Sequence, residues 1–214
     1  MSDLRALVGQ NSVQATADGG YADIEATRRG ELIVIDWYAQ MVQEGRVYQV
    51  RAGTLTTPIV GDLLITDAAA EMCADAASGT TILPVALNIS IRLGTGILHE
   101  YAAKSVATAS TAGTAFVPLP LKVGGSAATS TARAATAGGC TVTAEVATTT
   151  RRHWSFSNPV AVGAGNSNTS FDWKPKAPPV CVGPACFYVQ IAASGTGPSY
   201  YASFDYVELS TSAI

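Results

Sequence analysis

Charged side chains are scarce in this chain. Asp, Glu, Lys and Arg make up 14% of its 214 residues, whereas apolar residues make up 48%. Helical proteins usually carry many Lys and Glu on their surfaces, so this shortage favours β structure. It also indicates that part of the surface is covered by a partner, because few charges remain to solvate it.

The chain also lacks a basic field. Its formal net charge is −3 and its isoelectric point is about 5.3, and Arg28-Arg29 and Arg151-Arg152 are isolated dipeptides. Nucleic acids and anionic membranes are bound through many basic side chains, so neither is expected as a partner.

Long apolar runs are missing as well. No window approaches the roughly 20 apolar residues that span a bilayer. The N-terminal "MSDLRALVGQNSVQ" lacks the basic start and continuous apolar core of a signal peptide. We therefore expect a soluble protein that is synthesised in a cytoplasm.

Catalytic and nucleotide-binding motifs are absent too. Neither GxGxxG nor GxxxxGK[ST] occurs. Glu100 would point away from His99 on a strand, and the arginines before His153 would lower its basicity, so neither histidine fits a hydrolase triad. No facing pair of carboxylates for glycoside hydrolysis is visible among Asp36, Glu44, Asp172 and Asp205. We expect no enzyme activity and no catalytic residue.

Cysteine is sparse, with Cys73, Cys140, Cys181 and Cys186 in the whole chain. Four cysteines do not make a disulfide framework at this length, and the C-x2-C spacing of structural zinc sites is missing. The "CVGPAC" turn brings Cys181 and Cys186 near each other, which leaves two alternatives. We favour free buried thiols over a Cys181–Cys186 disulfide. No metal and no other cofactor is expected.

Alternating residues predict roughly eight to ten strands. The clearest is a hairpin in which "ELIVIDWYAQMV" (31–42) reverses at Glu44-Gly45 and returns as "RVYQVRAG", with Val47 or Tyr48 facing inward. Its apolar face would be Ile33, Ile35, Trp37, Ala39 and Met41.

Other strands are predicted along the rest of the chain. Pro84 has no backbone N–H to donate to a neighbouring strand, so it should lie at a strand start, an edge or a bulge. The prolines of "TAFVPLPLKVGG" suit an extended edge. The segments are "TTPIVGDLLITD", "TTILPVALNISIRLG", "GILHEYAAKSVAT", "TAFVPLPLKVGG", "CTVTAEVATT", "RRHWSFSNPV", "CFYVQIAAS" and "SYYASFDYVELS".

Three segments lack this alternation. Residues 1–30 are small and polar and form an N-terminal arm, either disordered or docked on a neighbouring subunit, in which a helical turn would align Leu4, Leu7 and Val8. "ITDAAAEMCADAA" (65–77) is predicted as a short helix or an irregular loop. The low-complexity stretch 124–140 is predicted as a long surface loop.

These signals predict one antiparallel β-sandwich over residues 31–214, in its simplest form a jelly roll. Aromatic residues cluster around "SNPVAVGAGNSNTSFDW". Packing of this cluster under a long loop is the simpler interpretation. In the alternative, exposed Trp154 and Trp173 stack on sugar rings, as in lectin-like sites.

The order of these segments resembles that of virion structural proteins of tailed bacteriophages, particularly the decoration (cement) proteins. A small polar arm leads to "RGELIVIDWYAQMVQEGRVYQVRAG", followed by "TTP", "ALNISIRLG" and a terminal "PSYYASFDYVELS". The likeness covers residues 25–100 and recurs at 198–209, while 124–140 has no counterpart. The resemblance implies a β-sandwich trimer that clamps adjacent subunits of the major capsid protein.

The expected function follows from this resemblance and from the missing catalytic motifs. The chain would bind the outside of a phage capsid as a homotrimer, and so reside on the virion. In its arm, Leu4, Leu7, Val8 and Tyr21 would contact the capsid. The alternative is a receptor- or glycan-binding virion module, such as a fibre or spike head, that uses Trp154 and Trp173.

Overall fold

A computed structural model describes most of the chain. It covers residues 6–7, 21–22, 36–54, 56–63, 69–93, 99–134, 140–142, 148–158, 169–193 and 197–213. Within these ranges strands dominate, and α1 (Trp37–Gln43) is the one α-helix. A 3-10 turn, Thr211–Ala213, follows the last strand.

Most strands are short, and five have eight or more residues. In chain order they are β1 (Ala6–Leu7), β2 (Tyr21–Ala22), β3 (Val47–Ala52), β4 (Ile59–Val60), β5 (Ala69–Ala70), β6 (Met72–Ala76), β7 (Thr80–Leu93), β8 (His99–Val106), β9 (Thr114–Phe116), β10 (Leu119–Pro120), β11 (Thr131–Ala134), β12 (Cys140–Thr141), β13 (Arg151–Asn158), β14 (Thr169–Trp173), β15 (Cys181–Val182), β16 (Ala185–Ala193) and β17 (Ser199–Ser210). The five long ones are β7, β8, β13, β16 and β17.

Two antiparallel sheets form a sandwich. Sheet 1 has the order β10-β3-β17-β7-β14, with β4 added to β17 and β15 added to β7. Sheet 2 has the order β13-β8-β16-β6-β11-β9. The prediction of an all-β antiparallel sandwich is confirmed, and the jelly-roll connectivity stays a prediction.

The main core lies between the inner faces of the two sheets. Phe187 of sheet 2 meets Phe204 of sheet 1 edge to face, with ring centroids 5.2 Å apart. Such aromatic pairs combine a large buried area with a favourable ring geometry. The surrounding core residues come from both sheets: Val50, Leu87, Ile89 and Ile91 from sheet 1, and Met72, Ala74, Val189 and Ile191 from sheet 2.

The two lateral openings of the sandwich are closed differently. Between the edge strands β13 and β14, Phe156 contacts Phe171 at 4.6 Å and Phe171 contacts Tyr101 at 4.9 Å between ring centroids. At the opposite opening, residues 114–123 pass from β9 of sheet 2 to β10 of sheet 1. One side is therefore sealed by rings and the other by a crossing segment.

The predicted first hairpin is wrong, because residues 37–43 form α1. The Asp36 side chain accepts hydrogen bonds from the N–H groups of Tyr38 (2.9 Å) and Ala39 (3.2 Å), which caps the helix. Gly45 follows the last turn with a φ of +75°, a conformation that glycine adopts without strain. Tyr38, Met41 and Val42 then share one helical face and pack beside β3 and β17. Residues 31–35 lie outside the described part.

Two further segment predictions are also wrong. Residues 69–76 form β5 and β6 instead of a helix or loop, and all five residues of β6 are buried. The 124–140 segment contains β11, which pairs with β6 and β9 and buries Ala132 completely. Small side chains suit β6 because it is covered on both faces, whereas β11 leaves Thr131 exposed.

Strand β7 follows its predicted alternation from Leu87 onward, whereas Val85, which was predicted on the same face, packs with the cluster around Met41. Leu87, Ile89 and Ile91 are buried while Asn88 and Arg92 are exposed. Pro84 lies where the pairing with β17 shifts register, so the expected bulge is present.

Candidate functional site

The segment that passes from β9 of sheet 2 to β10 of sheet 1, together with the turn after β10, exposes three apolar side chains. They are Val117, Leu119 and Val123, which are 60%, 42% and 97% exposed. Between them, Pro118 is buried and Leu121 packs against the cluster around Met41, so the segment is anchored in the interior at two points. We call these three residues the edge ridge.

Backbone pairing along the edge ridge is limited. Strand β10 pairs with β3 over two residues, Leu119 with Gln49 and Pro120 with Tyr48, and Leu121 N–H donates to the Val47 carbonyl at 2.9 Å. Pro118 and Pro120 carry no N–H, which disfavours the addition of another strand. A partner would therefore meet this edge through its side chains.

A groove of about 370 Å³ lies between α1 and residues 174–178, on the outer face of sheet 1. Trp37 is 39% exposed and lines it. Tyr38, Lys174 and Asp205 supply the polar groups, and Val85, Pro175 and Pro178 supply apolar surface. Aromatic and apolar walls with a few polar groups are typical of small-ligand sites.

Asp205 is held firmly beside this groove. Gln49 Nε2 donates to its Oδ1 at 2.9 Å, and the Tyr38 hydroxyl donates to its Oδ2 at 3.3 Å. Burial raises the pKa of Asp205, against the opposing effect of these two hydrogen bonds and the Lys174 charge. Burial and the neighbouring Asp205 raise the pKa of Tyr38 to about 12. Asp205 can thus present a hydrogen-bond acceptor to a ligand in the groove, and Tyr38 an aromatic ring.

The predicted sugar-stacking tryptophans lie elsewhere. Trp154 is on β13 of sheet 2 and Trp173 is on β14 of sheet 1, and both are half-buried against the main core. Trp173 stacks on Phe187, with centroids 6.1 Å apart and an interplanar angle of 9°. That ring face is used in packing, and sugar stacking by these two residues stays a prediction.

His153 lies at a register shift between β13 and β8, between Arg152 and Trp154. The shift turns its ring toward Ser105, so that His153 Nε2 lies 2.8 Å from Ser105 Oγ. Burial, together with the Arg151 charge, lowers the pKa of His153. A neutral imidazole in a hydrogen bond to a buried hydroxyl agrees with a structural role.

The proposed arm residues are only partly described. Leu7 pairs with Tyr21 in the antiparallel β1–β2 pair, so Ala6–Leu7 is extended instead of helical. Leu4 and Val8 lie outside the described residues. Contact of these four residues with a capsid stays a prediction.

The four cysteines are free and buried in the structure, with no disulfide between Cys181 and Cys186, the alternative that the sequence left open. Cys181 lies on β15 of sheet 1 and belongs to the main core. Cys186 lies on β16 of sheet 2 and belongs to a separate cluster with Cys73 and Cys140. The turn between them passes from one sheet to the other, so the two thiols enter different clusters.

Sequence reasoning missed this second cluster, which lies on the outer face of sheet 2. Cys73 and Asp75 are alternate residues of β6, and Cys186 faces Asp75 across the β6–β16 ladder. One ligand atom from each of the three lies within 4.8 Å of the others. The sequence carried a weak signal, the Cys-x-Asp spacing on one strand face, in a segment that did not look like a strand.

Comparisons of the chain with protein-family models, with curated proteins and with solved structures found no match. Among the described helices, none has the length and apolar character needed to cross a membrane. Function is therefore inferred from the geometry of the surfaces described above.

Proposed function

We propose that this chain is a structural virion protein that binds the outside of a phage capsid and stabilises it as a decoration protein. The observation that carries the proposal is the edge ridge, in which Val117, Leu119 and Val123 project into solvent. A ridge of aliphatic side chains at an open edge is the kind of surface that a protein partner covers.

The composition of the chain supports the same proposal. With 14% charged residues, the chain has few groups to keep such an edge solvated. The centres of protein interfaces are depleted of charge in the same way, while their rims stay polar. Burial of the ridge would remove apolar area from water at little electrostatic expense.

The segment that carries the edge ridge is held in place by the rest of the fold, as a rigid docking element would be. Leu119 is paired to β3, and Pro118 and Leu121 anchor the same segment in the interior. A preordered contact loses little conformational entropy on binding, so more of its burial energy remains as affinity. Repetition of the contact over a symmetric shell would add avidity.

The proposed partners are the major capsid protein and two further copies of this chain. A closed homotrimer presents the edge ridge three times to neighbouring capsid subunits. The arm residues Leu4, Leu7, Val8 and Tyr21 would extend the contact and order on docking. The proposed location is the capsid surface, after synthesis in the host cytoplasm.

The test is reconstitution on phage heads that lack the protein. Purified chain is added to heads, the heads are sedimented, and the bound copies are quantified by mass spectrometry. Saturable binding, with greater resistance of the filled heads to heat, is expected. A variant without residues 1–25 should fold normally and lose occupancy. Absence of binding by the intact chain would remove the proposal.

A second candidate function is glycan binding by a virion module, and the groove beside α1 favours it. Trp37 offers an exposed ring, and Asp205 and Lys174 offer an acceptor and a donor within the same groove. Sugar rings bind through such a combination of an aromatic face and directed hydrogen bonds.

This second candidate is separated from the first by a glycan array and a tryptophan fluorescence titration. Trp37→Ala should abolish a response that comes from the groove, whereas Trp173→Phe should leave it intact. A response lost in Trp154→Ala or Trp173→Ala would instead indicate the site predicted from the sequence. No response to any bacterial polysaccharide would exclude both.

A further inference from the structure

We propose that Cys73, Asp75, Cys140 and Cys186 form a binding site for a thiophilic divalent metal ion, with Zn²⁺ as the ion that fits best. The site lies outside the main core, between sheet 2 and the segments that cover its outer face. It is independent of the decoration role.

The sheet supplies three of the ligands. Strand β6 alternates, so Met72 and Ala74 face the main core while Cys73 and Asp75 face outward. Antiparallel pairing places Cys186 opposite Asp75. The sulfur atoms of Cys73 and Cys186 and a carboxylate oxygen of Asp75 thereby come within 4.8 Å of one another. All three residues are buried.

The fourth ligand of the proposed site would come from the covering layer, where Cys140 lies in the same buried cluster but outside the group whose ligand atoms are within 4.8 Å. Cys140 on β12 pairs with Ala70 on β5, and the neighbouring Thr141 is joined to Thr111 by two backbone hydrogen bonds of 2.7 and 2.8 Å. From this layer the Cys140 side chain packs in one cluster with Cys73 and Cys186, and all three thiols are completely buried.

The surroundings of the cluster include a positive charge. Arg133 Nε lies 3.5 Å from Asp75 Oδ2 and adds a positive charge that offsets the surplus negative charge of three thiolates and a carboxylate around a divalent ion.

Asp75 is also oriented from outside the cluster. Ser110 donates to it twice, from its N–H to Oδ1 at 2.7 Å and from its hydroxyl to Oδ2 at 2.6 Å. Outer hydrogen bonds of this kind fix the ligands of metal sites. Two sulfurs and one oxygen in one buried group, with a third sulfur in the same cluster, are the donor types that structural zinc sites use.

A bound ion would cross-link the covering strand β12 to sheet 2. Asp75 and Cys73 belong to β6, Cys186 to β16 and Cys140 to β12, so one ion would join three strands that are distant in sequence. Metal ligation of this kind stabilises the folded state because the unfolded chain lacks the assembled site.

The direct test is metal content and cobalt spectroscopy of the intact protein. The chain is purified without chelator, equilibrated with Zn²⁺, desalted and analysed by inductively coupled plasma mass spectrometry. About one zinc per chain is expected for the single site. Replacement by Co²⁺ should give thiolate-to-cobalt charge-transfer bands and the intense visible bands of a tetrahedral ion.

Matched cysteine variants locate the site. Cys73→Ser and Cys186→Ser should reduce bound zinc at least tenfold, whereas Cys181→Ser, which removes a buried thiol from the main core, should retain it. Asp75→Asn should weaken Zn²⁺ binding while the cobalt charge-transfer bands remain. Should the Cys73 and Cys186 variants fail to fold, thiol labelling of the native protein decides. Zn²⁺ should then slow the modification of three cysteines and leave Cys181 unaffected.

Several results would overturn the proposal. One is zinc below about a tenth of an equivalent after equilibration, with no cobalt charge-transfer band. Another is equal loss of zinc in Cys181→Ser. A third is a mass two hydrogens lower than that of the reduced chain, with a peptide map joining two cluster cysteines, which would make the cluster a disulfide site.

Discussion

Loss of the edge ridge should abolish capsid binding without unfolding the protein. The perturbation is the triple variant Val117→Ser, Leu119→Ser, Val123→Ser. These side chains are 60%, 42% and 97% exposed, so they contribute little to the folded core. Exposed substitutions of this kind change the free energy of unfolding by about 0.5 kcal/mol or less each.

The expected effect on binding follows from the same exposed fractions. Together the three side chains offer the equivalent of about two fully exposed aliphatic residues. Burial of one such residue is worth about 1.5–3 kcal/mol, so full burial of the ridge is worth about 3–6 kcal/mol per copy. At about 1.4 kcal/mol per tenfold change, affinity should fall by roughly two to four orders of magnitude.

The assay is a binding isotherm on stripped heads, with circular dichroism and thermal unfolding as checks of the fold. The matched control is Val180→Ser, Val182→Ser, which removes exposed aliphatic surface (55% and 49%) outside the ridge. The reasoning is refuted if the triple variant binds within threefold of the unsubstituted chain. It is equally refuted if the control loses as much affinity.

Three further predictions concern the fold. Burial raises the pKa of Glu71 to about 8, so the folded state binds the carboxyl proton more tightly than the unfolded chain does. The stability that this proton binding contributes is complete below about pH 4.5 and is lost as the pH rises through about 8. Urea unfolding between pH 5 and 9 should show this decline by several kcal/mol, and a slope unchanged in Glu71→Gln would contradict it. Asp36→Ala should lower the free energy of unfolding by about 1 kcal/mol through loss of the α1 cap, whereas Asp36→Ser should restore most of it. Phe187→Ala should lower the free energy of unfolding by about 3–5 kcal/mol by opening a cavity beside Phe204. A loss below about 1 kcal/mol would contradict the packing of Phe187 in a core between the two sheets.

Where residues alternate between two different environments, the sequence was sufficient to predict structure. Strand β17 spans Ser199–Ser210, the segment "SYYASFDYVELS" that was predicted as the terminal strand. Strand β7 buries Leu87, Ile89 and Ile91 on one face, as its alternation predicts. Period-two patterning is a local property, so it can be recognised before the partner strand is known.

Where the pattern fits two periods or none, the sequence was not sufficient. Residues 36–45 alternate like a strand, yet Tyr38, Met41 and Val42 also fit a helical face, and the Asp36 cap together with packing on β17 selects the helix. Strand β6 is buried on both faces, which removes the alternation that identifies a strand, and β11 is only four residues long within a low-complexity stretch.

By itself the sequence determined the class of the fold, the main strands and the charge-poor surface, because these depend on composition and on short-range periodicity. The tertiary structure alone decided which distant residues meet. Cys73, Cys140 and Cys186 come together through ladder register and the covering layer, and Val117, Leu119 and Val123 become a ridge because their segment crosses between two sheet edges. Register and sheet order arise from long-range pairing, which no local pattern in the chain encodes.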